Sequence, residues 1–151
     1  MIFRQAKNSD AKTLSELLVR VARPLKASDF AENGWEFMLT LVTPEKMLSK
    51  IKDENSFILC AEKNQKVVGF ITILFFEKID QLFICESVRY QGVASRLWQQ
   101  AKTICEQSGR GESYYVKSSS YAIGFYQKLG FSVKGEKQIV NGCSFQLMVY
   151  P

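Results

Sequence analysis

The sequence predicts an α/β domain, a mixed sheet flanked by helices, and two patterns carry that expectation. Short β-branched and aromatic runs, such as residues 57–61, 67–76 and 81–85, alternate with stretches whose apolar residues recur at helical spacing. The chain then closes on two runs joined by Asn141-Gly142, the mark of a terminal hairpin. A length of 151 residues suits one domain, spanning 1–151, with a sizeable core, and is too short for two ordinary ones.

The elements follow in order. Ile2-Phe3-Arg4 is short and apolar, and Asn8-Ser9-Asp10 offers helix caps. Ala11, Leu14, Leu17, Leu18 and Val21 then predict a helix that runs to about Ala22 before Pro24 stops it. Ser28-Asp29 starts a turn or helix through Trp35, Phe37, Met38 and Leu41. Thr43-Pro44-Glu45 opens a helix through Met47, Leu48 and Ile51, with proline at its first position. Phe57–Ala61 and Val67–Phe76 read as paired strands about a turn at residues 62–66, and a tight turn near Glu77-Lys78 leads to the next strand. A helix carrying Val93, Leu97, Trp98, Ala101, Ile104 and Cys105 on one face ends at Ser108-Gly109. Residues 112–116 form a further strand, and Ser118-Ser119-Ser120 caps a short helix closed by Gly130. Phe131–Val140 and Cys143–Tyr150 complete the hairpin.

Composition removes several kinds of chemistry. There is no histidine, so neither a Ser-His-Asp nor a Cys-His nucleophilic device is available, and the commonest zinc ligand is missing. No metal is expected. The four cysteines are scattered and lie mostly in apolar stretches, which fits reduced core residues and a cytoplasmic location. No apolar run is long enough to span a membrane, and the first residues do not read as a signal peptide. A net charge of +5 suits an anionic partner. The basic residues form no dense run with interleaved aromatics, so no nucleic-acid partner is expected and a polyphosphorylated cofactor fits better.

Arg89-Tyr90-Gln91-Gly92-Val93-Ala94 lies between an apolar strand and the start of a helix. A strand, a glycine turn and a helix N-terminus bring unpaired N–H groups together at the positive end of the helix dipole, where phosphate binds. This Arg-x-x-Gly-x-Ala stretch resembles the acyl-CoA pyrophosphate loop of the GNAT superfamily of N-acyltransferases. Tyr121-Ala122-Ile123-Gly124-Phe125-Tyr126-Gln127-Lys128-Leu129-Gly130-Phe131 is similar to the later signature of the same family. Two blocks in the right order, over a chain whose elements follow the family's sequence, imply a GNAT-like, mostly antiparallel mixed sheet flanked by helices. They also imply transfer of an acetyl group from acetyl-CoA to a primary amine.

The resemblance assigns roles. The strand with Leu82, Phe83 and Ile84 would pair its backbone with pantetheine, splayed from the strand at 113–116. Arg89, Gln91, Gly92, Val93, Ala94, Ser95 and Arg96 would form the pyrophosphate cradle, with Lys117, Tyr121 and Phe125 lining the cofactor. Tyr126 would protonate the departing thiolate, a step that needs a positioned acid. Asp80 would take the amine's proton, directly or through water, with Glu77, Lys78 and Glu86 as competitors. Cys85, within an apolar strand, is no nucleophile. Glu86, Lys117 and Gly124 depart from the usual pattern. The acceptor, a small-molecule or peptide amine, would meet residues of about 20–45, where Asp29, Glu32 and Glu36 could attract a cation. A homodimer follows from family habit alone. The competing expectation is a CoA-binding sensor or partner module without catalysis.

Overall fold

The computed structural model describes residues 1–151. Eight strands form its sheet: β1 (Ile2–Gln5), β2 (Ser56–Lys63), β3 (Lys66–Leu74), β4 (Lys78–Ile84), β5 (Tyr114–Ser118), β6 (Ser132–Val133), β7 (Gln138–Val140) and β8 (Cys143–Tyr150). The order across the sheet is β1-β2-β3-β4-β5-β8-β6, and β7 also pairs with β8. Every pairing is antiparallel except β4 with β5. The helices are α1 (Ala11–Ala22), α2 (Lys26–Asp29), α3 (Gly34–Leu41), α4 (Pro44–Lys52), α5 (Val93–Gln107) and α6 (Ile123–Lys128). None is long and apolar enough to cross a membrane.

The buried core explains why these segments fold as they do. Leu14, Leu17 and Leu18 of α1 and Met47 of α4 are buried with Ile58, Phe70, Ile71 and Ile73 of the central strands. The Gln81 amide donates to the Met47 sulfur at 3.6 Å, and the Arg20 guanidinium to the Cys85 sulfur at 3.1 Å. Alternate residues of a strand share a face, so α1 and α4 lie over one side of β4. Thr43 caps α4 by accepting from the Lys46 N–H at 3.3 Å, as the Thr-Pro-Glu start signal predicts. All four cysteines are free thiols.

Four segments differ from expectation, each for a local reason. Phe75 and Phe76, expected inside a strand, form the tight turn, with φ of 55° and 57°. The Glu77 N–H closes it onto the Leu74 carbonyl at 3.1 Å, and Phe76 gains compensation from Phe57 at 5.8 Å. The strand β4 consequently starts at Lys78 and ends at Ile84, ahead of the predicted 81–85. The stretch from Ser28 to Leu41 is two helices, because Phe30 turns extended and bridges to Cys143 while the Ala31 N–H bonds to the Gly142 carbonyl at 2.7 Å. The arm from Phe131 to Val140 is likewise broken. Lys134 to Lys137 bulge opposite Gln146 and Leu147, and the Gln146 amide donates to the Gly135 carbonyl at 3.1 Å.

Gly34 and Gly142 meet backbone to backbone where the hairpin tip docks on α3. A Cβ built on Gly34 would overlap the Gly142 carbonyl oxygen. Replacing Gly34 by alanine is therefore expected to cost about 1–3 kcal/mol, read as a lower urea midpoint. The control is Gly124→Ala, whose added methyl meets no atom and which is expected to hold or raise stability.

Candidate active site

The joint between β4 and β5 opens the site. Only Lys78 with Tyr115 and Ile79 with Val116 are paired, after which the two parallel strands part. On its other edge β4 stays joined to β3 as far as Ile84 with Gly69. One edge of Leu82, Phe83 and Ile84 is thus left without a strand partner, within half-buried surroundings. At the same point the register with β3 slips, since Ile73 faces Ile79 and Thr72 faces Gln81, leaving Asp80 as an extra residue. A bulge of this kind re-aims a side chain and interrupts pairing.

The cradle follows directly. A short 3-10 turn at Glu86–Val88 carries the chain from β4 to Arg89, and Gly92 then caps α5 with φ of 75°. A Cβ on Gly92 would touch no protein atom. The glycine therefore answers to its backbone conformation, and the space above it is open. From Gln91 to Ser95 no backbone N–H finds a backbone acceptor, and the helical ladder begins only with the Arg96 N–H on the Gly92 carbonyl at 3.1 Å. These donors share the helix terminus with its partial positive charge. Arg89 is half-buried beside them, and the Gln91 side chain reaches back to the Ser87 carbonyl at 3.4 Å. The Arg96 N–H is taken up by the helix, and its guanidinium lies 4.6 Å from the centre of the Phe3 ring.

Tyr126 sits on α6, reached from the far end of β5. It is 5% exposed, its ring packed on Phe125 at 5.2 Å and Phe131 at 5.5 Å. Burial pushes its phenol well above the ordinary value of 10.0, so the group keeps its proton throughout the neutral range. Phe125 is half-buried, whereas Tyr121 is largely exposed. The Lys117 ammonium lies 5.0 Å over the Phe145 ring.

The carboxylates divide sharply. Asp80 is held by Lys50 at 2.8 Å and Lys78 at 3.4 Å, so each of its oxygens meets an ammonium group. Glu77 and Glu86 are exposed. Asp29, read from the sequence as a carboxylate that could attract a cation, is instead 3% exposed and accepts from the Ser120 hydroxyl at 2.7 Å and the Ser120 N–H at 3.4 Å. Glu32 and Glu36 do face solvent, and Trp35 packs edge-on against Phe30 at 5.3 Å as core. Sequence reasoning missed the Lys50 partner of Asp80 and the Ser120 partner of Asp29. Only three-dimensional proximity reveals either, since the partners lie 30 and 91 residues away.

A mostly antiparallel sheet whose one parallel joint splays, with a glycine-capped helix following it, is the arrangement of an acyltransferase fold. Residues 26–150 match the family model of the acetyltransferase (GNAT) domain, and the chain belongs to the GNAT acetyltransferase family. It is 29% identical over 126 residues to the peptidyl-lysine N-acetyltransferase YjaB of Salmonella typhimurium, covering 82% of this chain and 81% of that one. The fold is similar to a GCN5-related N-acetyltransferase from Rhodopseudomonas palustris, with a TM-score of 0.83 at 20% identity over 99% of this chain and 94% of the other. It is similar too to the PaiA N-acetyltransferase of Thermoplasma acidophilum in complex with coenzyme A, with a TM-score of 0.82 at 20% identity over 99% and 97% of the two chains.

Burial also raises Tyr114 to about 12, Cys60 to about 12 and Cys105 to about 11. The unfolded chain would lose these protons near 9.0 for the thiols and 10.0 for the phenols. Raised values mean that the folded state binds these protons more tightly, so their stabilisation is complete below pH 9.0 and lost as pH climbs toward 12. Urea midpoints should be flat across neutral pH and fall steadily in the alkaline range. Tyr126→Phe should make that alkaline fall shallower.

Proposed function

We propose that this protein transfers an acetyl group from acetyl-CoA to a primary amine by direct attack, the ε-amine of a peptidyl lysine being the acceptor class favoured over a free small-molecule amine. The observation that carries the reading is the unpaired edge of β4, which leads straight to the free N–H groups of Gln91–Ser95. An extended pantetheine arm has amides that suit such an edge, and a pyrophosphate suits such a terminus. The PaiA neighbour with coenzyme A supports the cosubstrate, and the peptidyl-lysine relative supports the acceptor.

In this reading Leu82, Phe83 and Ile84 offer backbone groups to the arm, and Gln91, Gly92, Val93, Ala94 and Ser95 hold the pyrophosphate. Arg89 adds a charge beside it, and Lys117, Tyr121 and Phe125 lie along the cofactor's path. The neutral amine attacks the thioester carbonyl, forming the C–N bond. The C–S bond then breaks, and the leaving thiolate takes the phenol proton of Tyr126. The amine nitrogen must shed a proton in turn. Each oxygen of Asp80 already meets an ammonium group, so Asp80 acts through a bridging water that occupies a remaining lone pair. Holding an amine that arrives already neutral supplies much of the remaining rate.

Calorimetric titration tests the cosubstrate first. Acetyl-CoA and desulfo-CoA should bind saturably and ATP weakly or not at all, whereas equal indifference to all three would overturn the reading. With lysine peptides, thiol release should fall about 100-fold in Tyr126→Phe while CoA affinity changes less than about twofold. Undiminished turnover would remove Tyr126 from its role.

A further inference from the structure

Tyr90 has no evident reason, within the protein, to be a tyrosine. Its backbone is left-handed, with φ of 62°, a conformation that glycine or asparagine adopts readily and an aromatic residue rarely does. Its ring is 97% exposed, so no packing offsets that strain. The neighbours behave differently: Val88 is buried, and the Gln91 side chain reaches the Ser87 carbonyl. An apolar ring held in water on a strained backbone points to a use by something that arrives from outside.

Its position says what arrives. Tyr90 immediately precedes the free N–H groups of Gln91–Ser95 and follows Arg89, a half-buried residue whose guanidinium makes no hydrogen bond or ion pair within the protein. A pyrophosphate held by those donors carries on one side the pantetheine arm and on the other a ribose and its base. The arm would run along β4, so the nucleoside would leave over the loop that carries Tyr90, one residue before those donors. Resting on the proposed use of acetyl-CoA, we infer that Tyr90 is a stacking platform for the adenine ring, so that the protein selects nucleotide-bearing thioesters over acyl groups carried on pantetheine alone. A flat aromatic face binds any base by stacking, and an exposed one is ready to do so without rearrangement.

The test compares CoA with 4′-phosphopantetheine, which keeps the arm and one phosphate but lacks the nucleoside. Calorimetry on the wild type, Tyr90→Asn and Tyr90→Phe reads both affinities, and thermal melting reads the strain. Tyr90→Asn is expected to weaken CoA by about 5- to 20-fold, leave 4′-phosphopantetheine unchanged and melt at or above the wild-type temperature. Tyr90→Phe is expected to retain CoA affinity within about twofold. A Tyr90→Asn protein that binds CoA as tightly as wild type overturns the inference and leaves the proposed function standing. An equal loss for both ligands, or a lower melting temperature, also overturns it, because the ring would then be supporting the loop. A wild type that ignores CoA removes the proposed function and the inference together.

Discussion

Two parallel pairs, Lys78 with Tyr115 and Ile79 with Val116, are all that join β4 to β5. A sheet seldom forgoes backbone hydrogen bonds within a half-buried region, because each unpaired group is costly once water is removed. Here the bulge at Asp80 and the parting of the strands fall together, and the chain beyond them turns at once into the 3-10 segment and the Gly92 cap. The open edge and the unsatisfied helix terminus are therefore two runs of free backbone groups, separated only by the short bonded turn at Glu86–Val88. Two such runs suit a long ligand with amides at one end and phosphates at the other.

The elements around this joint are held together for a different reason. Trp98 of α5 meets Tyr114 at 5.0 Å, Phe131 at 5.4 Å and Tyr150 at 6.0 Å, and Phe131 in turn meets Tyr126. One aromatic cluster thus ties α5, β5, β8 and the end of α6 together. Large rings in edge contact leave little freedom to neighbours. The helix that Gly92 caps and the helix that carries Tyr126 are consequently fixed in one frame, although no hydrogen bond need link them.

How much of this was legible in the sequence depended on whether the determining contacts were local. The repeat of Ala11, Leu14, Leu17 and Leu18 and the Thr43 cap belong to single turns of helix, and both elements appear as read. Asn141-Gly142 turns the chain as its φ preferences demand, with φ of 51° and 76°. Phe75 and Phe76 misled because aromatic residues favour strands, whereas here the register of β3 against β4 forces the turn onto them. The gap between α2 and α3 was invisible because the hairpin tip, a hundred residues further along, takes the backbone bonds that would have continued the helix. The glycine that caps α5 could be read, because its left-handed turn is a local feature. The ion pairs of Asp80, the burial of Asp29 and the turning of Arg96 toward Phe3 could not, since each side chain's neighbour comes from a distant segment.

The meeting of Gly34 with Gly142 has a consequence for how relatives can diverge. Turns at hairpin tips ordinarily accept insertions freely, because nothing rests on them. This one is seated against the backbone of α3, and the Ala31 N–H grips its carbonyl. A lengthened tip would have to lift away from α3 or carry α2 and α3 with it, so the two segments can drift only as a pair. Descendants that alter one would have to alter the other, and that linkage narrows the routes by which the flank formed by α2 and α3 can be remodelled without unseating the hairpin.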